Sequence, residues 1–285
     1  MITQKYWLYA SVTVLFWASA SVLVRLMFAD YSAVTITAAR CFIASCLLLA
    51  VCRIKKIPPP KPRDIPIFFV AGAVGFALYT TVFNIGFSAV TAATGNVVMS
   101  SGPIFTAILA RFLFNERIRP MGWFYTGVSF AGILILMLWN GALMINIGVL
   151  WVILAAVLLS CYSLIQRRLT KRYTALQCSA YSMTAATILM IPFLPAAARD
   201  TIGASGVAVA TLIFLSVCSS AIAYLFWSKA FSLAKRTADV TNFLYLPPFI
   251  ATLLAFVMFN EIPDWGTAAG GAVILFGLWM FQKKA

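Results

Sequence analysis

The sequence has little of the chemistry on which most enzymes depend. Its 285 residues include no histidine and only seven aspartates and glutamates. Without histidine the chain cannot build a Ser-His-Asp triad, a histidine metal site or a histidine proton relay. The six cysteines stand singly in apolar stretches, with no Cys-x-x-Cys spacing. We therefore expect no bound metal and no cofactor.

Charge of either sign is also scarce. Only 10% of the residues are charged and 63% are hydrophobic, whereas soluble domains average about 25% charged and 45 to 50% apolar. Ten continuously apolar stretches are long enough to cross a bilayer as helices. They are residues 6–28, 33–52, 65–86, 91–114, 120–139, 147–166, 174–194, 206–228, 237–259 and 264–282. The sequence thus predicts an all-α membrane protein with ten transmembrane helices and no soluble domain.

The basic residues lie mainly on one side of these spans. If the N-terminus is cytoplasmic, 18 of the 21 lysines and arginines fall on the cytoplasmic side, and only Arg25, Arg40 and Arg199 fall on or toward the other. Cytoplasmic loops of membrane proteins carry such an excess. We expect both termini in the cytoplasm. The net charge of +14 then reflects topology, and the partner is the lipid bilayer, not nucleic acid.

The two halves of the chain resemble each other. Pro103 precedes a Phe-Asn-Glu triplet at 114–116, and Pro248 precedes the same triplet at 259–261, with 145 residues between the equivalent positions. Five helices per half is an odd number, so the halves enter the membrane from opposite sides. This pattern predicts two inverted-topology five-helix repeats, at 1–140 and 147–285, an architecture that many secondary transporters use to alternate access to a midplane site.

Several motifs resemble those of one known family. They are Phe16-Trp17-Ala18-Ser19 with Arg25, Ala39-Arg40-Cys41-Phe42, Gly86-Phe87-Ser88-Ala89, Asn115-Glu116-Arg117, Ala223-Tyr224-Leu225-Phe226-Trp227 and Asn260-Glu261. Together they look like an EamA-type carrier of the drug/metabolite transporter superfamily, over essentially the whole chain. The resemblance implies a multi-pass transporter of a bacterial inner membrane. Within the family the likeness is to exporters of aromatic amino acids.

The prolines mark a second feature of the interior. Proline weakens helical hydrogen bonding in the middle of a span, which frees the carbonyls of Met99, Phe243 and Leu244. Two readings remain open, a pair of symmetry-related hinges beside a substrate path or two static kinks. The residues assigned to this feature are Gly102, Pro103, Pro247 and Pro248.

Polar and aromatic side chains lie well inside the spans, where they need partners in the bundle or in water. We assign them to a substrate cavity for a solute with an apolar or aromatic side chain and a polar backbone, while helix–helix hydrogen bonding stays an alternative for each. The set is Trp17, Arg40, Tyr79, Asn84, Asn96, Ser100, Ser101, Tyr162, Ser163, Tyr224, Trp227, Asn242 and Tyr245. Within it, Arg40 either pairs with a carboxylate or carbonyls of the protein or binds a substrate carboxylate.

No aspartate or glutamate lies in the middle of a span, whereas ion-coupled carriers place a carboxylate in the path. The sequence therefore predicts facilitative export of amino acids, aromatic ones and others such as methionine or threonine, by alternating access. Export of drugs or other small metabolites is the alternative, and a channel or a membrane-embedded enzyme is more distant. We expect a monomer, with dimerisation through Gly266 and Gly270 left open.

Overall fold

The computed structural model describes residues 5–90, 92–115, 118–139, 147–259 and 265–284, and all regular secondary structure in these ranges is helical. The helices of the first half are α1 (Tyr6–Leu23), α2 (Ala33–Ile54), α3 (Ile65–Gly72), α4 (Tyr79–Ala89), α5 (Ala92–Met99), α6 (Gly102–Phe114) and α7 (Pro120–Trp139). Those of the second half are α8 (Ile147–Leu169), α9 (Ala175–Met190), α10 (Leu194–Gly203), α11 (Gly206–Phe214), α12 (Ala223–Leu233), α13 (Thr237–Thr241), α14 (Pro247–Phe259) and α15 (Trp265–Lys284). Short 3₁₀ turns extend or join them at Val24–Met27, Pro62–Asp64, Ile191–Phe193 and Asn242–Tyr245.

Six continuous helical segments of the described chain are long and apolar enough to cross a bilayer. They are Tyr6–Met27, Ala33–Ile54, Pro62–Ala89, Ile147–Leu169, Ala175–Gly203 and Gly206–Leu233. The expected spans 91–114 and 237–259 are each divided in two, at 100–101 and at 242–246, so neither is one continuous helix. The prolines therefore stand at the start of a second helix and not in the middle of a kinked one, because proline is best tolerated in a first turn. The protein is a multi-pass helical membrane protein.

Local irregularities recur at matching places in the two halves. A π-helical segment, Ala73–Leu78, joins α3 to α4, and a second, Leu215–Ile222, joins α11 to α12, beginning 142 residues later. The side chains of Ser32 and Thr174, also 142 residues apart, cap α2 and α9 with reciprocal capping boxes. Matching start signals and matching wide turns thus fall at one spacing along the chain.

Helices α2 and α9 pack against each other and run in opposite directions. Gln177, at the start of α9, donates a hydrogen bond to the carbonyl of Pro58, just after the end of α2 (2.9 Å). Near the middle of both helices, Thr187 donates to Ser45 (3.0 Å). Two helices that occupy equivalent places in the halves therefore cross antiparallel, as inverted repeats require.

Small residues allow α7 and α15 to approach closely. A Cβ added at Gly132 of α7 would lie 2.8 Å from the carbonyl oxygen of Gly270 in α15, and one at Gly277 would lie 2.4 Å from Ser129 Oγ. Gly270 belongs to the Gly-x-x-x-G motif and faces this intramolecular contact. Glu116 and Glu261, the acids of the two triplets, lie outside the described residues.

Candidate functional site: a cavity with a buried arginine

A narrow cavity of about 50 Å³ lies where both halves of the chain meet. Its walls come from α1, α2, α4, α5, α8, the second π segment, α12 and the break before α14. The lining residues are Trp17, Ala20, Arg40, Tyr79, Thr80, Phe83, Asn96, Met99, Leu159, Ser219, Tyr224, Leu244 and Pro247. Sites for drug-sized ligands measure about 300 to 1,000 Å³, so this conformation is too tight for a whole organic solute.

Arg40 is the only buried basic residue in the described chain, with 6% of its surface exposed. Its Nε donates to Ser220 Oγ (3.1 Å) and its Nη2 donates to Ser219 Oγ (3.3 Å). No carboxylate of the described residues lies within ion-pair distance. Because a guanidinium carries five N–H donors, most of its capacity remains available in the cavity wall.

The second π segment explains why two neighbouring serines reach one arginine. A π turn widens the helix by one residue and so changes which face the following side chains present. In this segment both Ser219 and Ser220 are turned toward α2, and the carbonyl of Ser219 accepts a hydrogen bond from Trp17 Nε1 (3.1 Å). Arg40 and Trp17 are thereby fixed to the same short stretch of backbone.

The described acids lie away from Arg40. Asp30 accepts from Ser205 Oγ (2.8 Å), Asp239 pairs with Arg236 (2.7 Å), and Asp64 accepts from Tyr173 (2.6 Å). All three stand in loops or at helix ends. Asp200 lies in α10, on the loop side of α9. The cavity therefore carries a positive charge that none of these carboxylates neutralises.

Aromatic rings form the rest of the wall. The ring centroids of Trp17 and Tyr224 are 5.0 Å apart, those of Phe76 and Tyr224 are 4.4 Å apart, and those of Tyr79 and Phe83 are 5.8 Å apart. These separations fall within the usual range for interacting aromatic pairs. The cavity thus combines a cationic corner with broad apolar faces.

Directly beside the cavity a packed layer fills the space between α8, α12 and α9. We call Tyr162, Ser163, Gln166, Trp227 and Ser228 the plug. Gln166 Nε2 donates to Tyr162 (2.6 Å), Ser228 donates to Gln166 Oε1 (3.3 Å), and Trp227 Nε1 donates to Ser163 (3.4 Å). All five side chains are fully buried. The plug closes the path from the cavity toward the ends of α8 and α12.

Beyond the plug, Arg167 ties α8 to the end of α12. Its Nη1 donates to the carbonyls of Phe231 (2.8 Å) and Ala234 (2.6 Å), and its Nη2 donates to that of Lys235. These carbonyls belong to the last turn of a helix and the residues after it, where basic side chains are favoured.

At the same surface Tyr173 links the loop before α9 to Asp64. The hydrogen bond that Tyr173 donates to this carboxylate raises the pKa of Tyr173, because it stabilises the neutral phenol. Arg172 also approaches Asp64, at 3.7 Å. Contacts between the two halves therefore close this end of the molecule.

The two helix breaks touch each other. Ser100 Oγ donates to the carbonyl of Leu244 (3.1 Å), and Ser160 Oγ donates to that of Gly102 (3.0 Å). The carbonyl of Phe243 accepts the backbone N–H of Leu246 (3.0 Å). Carbonyls at the breaks are thus satisfied by side chains of the opposite half or by a tight turn.

The structure brings only part of the expected site together. Trp17, Arg40, Tyr79, Asn96 and Tyr224 line the cavity, as does Pro247 of the presumed hinge. Tyr162, Ser163 and Trp227 lie in the plug, and Ser100, Gly102, Pro103 and Pro248 lie at the breaks.

The remaining four residues of the set do not line the cavity. Asn84 donates to Ala33 O (3.2 Å) and Thr37 Oγ1 (3.3 Å), so it joins α4 to α2. Ser101 donates to its own chain at Val98 O (2.6 Å). Tyr245 packs on Ile274, and Asn242 is buried in the neighbouring 3₁₀ turn. Depth within a span is similar for all four, but the helix face decides their partners.

Several residues of the site carry no strong sequence signal. Ser219, Ser220 and Gln166 are ordinary polar residues in apolar stretches, and Phe76 and Phe83 are two among 23 phenylalanines. The one usable sign was glycine. A Cβ at Gly75 would lie 2.0 Å from the Tyr162 ring, so only glycine fits beside that ring.

The multi-pass helical fold and the cavity between its halves define a membrane transporter, and comparison with known proteins agrees. The profile of the EamA-like transporter family matches residues 4–138 and 146–282. The chain belongs to the EamA-like transporter family of the drug/metabolite transporter superfamily, which confirms the resemblance read from its motifs.

Individual relatives are named as transporters. The chain is 29% identical over 275 residues to a probable terminal-alkyne amino-acid exporter of Streptantibioticus cattleyicolor, covering 95% of this chain and 91% of the relative. It is 32% identical over 200 residues to an S-adenosylmethionine uptake transporter of Rickettsia prowazekii, covering 70% and 65%. A crystal structure with 19% identity matches 99% of both chains with a TM-score of 0.78, which supports the fold.

Proposed function

We propose that this protein transports neutral α-amino acids across the bacterial inner membrane, and that Arg40 binds the substrate carboxylate. The observation that carries the proposal is a buried guanidinium in a cavity wall whose described partners are two serine hydroxyls. An arginine at the centre of a membrane helix costs about 2.5 to 3.5 kcal/mol on insertion scales. Such a cost is offset when an anionic ligand completes the site.

The chemistry of the corner matches a carboxylate better than a cation. A carboxylate accepts two parallel hydrogen bonds from a guanidinium, and such charge-assisted pairs are about twice as strong as neutral ones. The hydroxyls of Ser219 and Ser220 hold the Arg40 fork at two of its nitrogens. A cationic drug would meet an unneutralised positive charge here, so the geometry favours amino acids over that alternative.

Aromatic rings beside Arg40 suit the side chain of the solute. Trp17, Tyr79, Phe83 and Tyr224 offer faces and edges to an aromatic or thioether group. The relatives' names agree on one chemical element, since amino acids and S-adenosylmethionine share an α-amino carboxylate. We therefore place aromatic amino acids first, with methionine and threonine as further candidates.

We also propose the architecture expected from the sequence, ten transmembrane helices in two inverted repeats at 1–140 and 147–285. The matching π segments, the matching caps and the antiparallel crossing of α2 and α9 support it. With both termini in the cytoplasm, Arg40 and the ends of α1 and α4 lie toward the outer surface. The plug and Arg167 then lie toward the cytoplasm, and the structure is closed on that side.

Opening the cytoplasmic side requires the plug to part and the helix breaks to move. Residues 100–103 and 242–248 are the proposed hinges, because the backbone there is already free of regular helical bonding. Transport is facilitative in this proposal, since the described acids stand in loops or at helix ends, away from the cavity.

The test is exchange of radiolabelled phenylalanine in proteoliposomes, with unlabelled competitors. Phenylalanine, tryptophan and methionine should compete, whereas phenethylamine, which lacks the carboxylate, should not. Arg40→Gln should lower exchange at least tenfold, and Arg199→Gln, which removes an exposed charge, should leave it unchanged. Equal competition by phenethylamine would show that Arg40 does not read a carboxylate. Competition by cationic drugs alone would favour the drug exporter.

Energy coupling is tested separately in the same vesicles. A pH step imposed without a solute gradient should produce no accumulation of phenylalanine. Sustained accumulation against the solute gradient contradicts facilitative transport, while leaving the role of Arg40 intact.

A further inference from the structure

A second apolar recess lies on the outside of the bundle, at the end closed by Arg167. It is a groove of about 250 Å³ between the start of α3 and the ends of α6 and α8. Its lining residues are Ile67, Leu109, Leu113, Phe114, Cys161, Leu164, Ile165 and Arg168. Seven of these eight are apolar, and the one charge is at the loop end of α8.

Two basic residues stand over the mouth of this groove. Arg168 is exposed in the last turn of α8. Lys171 follows it in the loop, and its Nζ lies 5.8 Å from the centroid of the Phe114 ring, which also lines the groove. A cation at this distance is attracted by the ring face. Lys171 is therefore held at the same opening as Arg168.

Neither cation is neutralised by the described part of the protein. The neighbouring carboxylate, Asp64, is engaged by Tyr173 at 2.6 Å and approached by Arg172 at 3.7 Å. No described carboxylate lies within ion-pair distance of Arg168 or Lys171. An apolar slot under two unpaired cations at a membrane surface has the shape and charge of a phospholipid.

A larger groove elsewhere provides the contrast. It measures about 480 Å³ and lies between α2, α10 and α11, and its lining residues include Phe42, Ile43 and Leu212. No lysine or arginine is among them. Such a groove accommodates acyl chains of any lipid, whereas the smaller one adds a reason to select the headgroup.

We propose that the groove between α3, α6 and α8 is a binding site for an anionic glycerophospholipid, whose acyl chain lies against Leu113 and Cys161 and whose phosphate is held by Arg168 and Lys171. Under the proposed orientation this is a lipid of the cytoplasmic leaflet, and only that assignment depends on the proposed function. The binding itself is independent of what the protein transports.

The test is native mass spectrometry of the purified full-length protein with phosphatidylglycerol or phosphatidylcholine. The wild type should retain phosphatidylglycerol preferentially. The double variant Arg168→Gln/Lys171→Gln should lose that preference severalfold, with phosphatidylcholine binding unchanged. Arg53→Gln/Lys55→Gln removes the same charge from exposed positions after α2 and should behave as wild type. An equal loss in both variants would mean diffuse surface attraction and would overturn the site.

The acyl chain is tested by filling the groove while keeping both charges. Cys161→Phe places a ring in the slot from a half-buried position, so it should also reduce retention of phosphatidylglycerol. Its unfolding temperature, measured alongside, should match the wild type. Glycerol 3-phosphate, which has the charge but no chains, should not displace the lipid at equal concentration. Displacement by it, or full retention in Cys161→Phe, would reduce the site to a phosphate contact and contradict the proposal.

Discussion

Residues 20 and 162 occupy equivalent places in the two halves, yet they do opposite things. Ala20 in α1 lines the cavity, whereas Tyr162 in α8, 142 residues later, is fully buried in the plug. Tyr162 contacts the rings of Phe76 and Tyr224 at centroid distances of 5.1 and 5.6 Å. A methyl group on one side and a phenol on the other therefore make one end of the interior open and the other filled. Matched backbones with unmatched side chains give a transporter two unlike ends.

A second pair shows the same contrast. Arg167 donates to three carbonyls at the end of α12, whereas Arg25, its counterpart 142 residues earlier, is exposed. Within the described chain the Arg25 guanidinium makes no such contact. The closed end is thus held by hydrogen bonds as well as by packing, and the end nearer the cavity is not.

Copying the plug onto the open side should have the largest effect. In Ala20→Tyr a phenol would occupy the cavity of about 50 Å³, so we expect phenylalanine exchange in proteoliposomes to fall more than tenfold. Leu15→Tyr is the control, since Leu15 is 44% exposed on the outer surface of the same helix. Normal exchange by Ala20→Tyr would show that substrate passes elsewhere.

Crowding the plug should affect stability before transport. A Cβ at Gly75 would lie 2.0 Å from the Tyr162 ring, and overpacking of this kind costs about 1 to 3 kcal/mol. Gly75→Ala should therefore lower the unfolding temperature in detergent. Gly102→Ala is the matched control, because the nearest atom to its Cβ is 3.7 Å away. Similar melting of the two variants would mean that Tyr162 yields freely.

Loosening the closed end should give the smallest change. Arg167→Gln removes the donors to the end of α12, so amide hydrogen exchange at residues 231–236 should quicken severalfold while the helix centres stay protected. Arg25→Gln should leave exchange at the end of α4 unaltered. If both variants behave alike, the difference between the two ends is not energetic.

The extent of prediction from sequence can be judged on particular residues. Arg40 and Trp17 were recognised because a charge and an indole deep in apolar spans need partners, and both line the cavity. Asn84 was grouped with them on the same grounds, but its amide bonds to the start of α2. Burial cost makes a polar group find a partner without saying which one, because both outcomes satisfy the same hydrogen bonds.

The helix breaks show a similar limit. The prolines at 103, 247 and 248 marked where helical bonding fails, and Leu244 O does accept from a side chain, Ser100. Proline also starts helices well, however, and the chain resolved the conflict by ending one helix and beginning another. Neither π segment was foreseen, since an inserted residue leaves composition and hydropathy unchanged.

The sequence by itself determined that the protein is a helical membrane protein of the EamA-like transporter family, because length and apolarity of the spans and the motifs are local properties of the chain. Only the tertiary structure decided that Ser219 and Ser220 hold Arg40 and that Tyr162 fills the space that Ala20 leaves open. The physical reason is rotation. One extra residue in a π turn rotates all later side chains by about 100° around the helix axis, and packing against the opposite half selects the rotation.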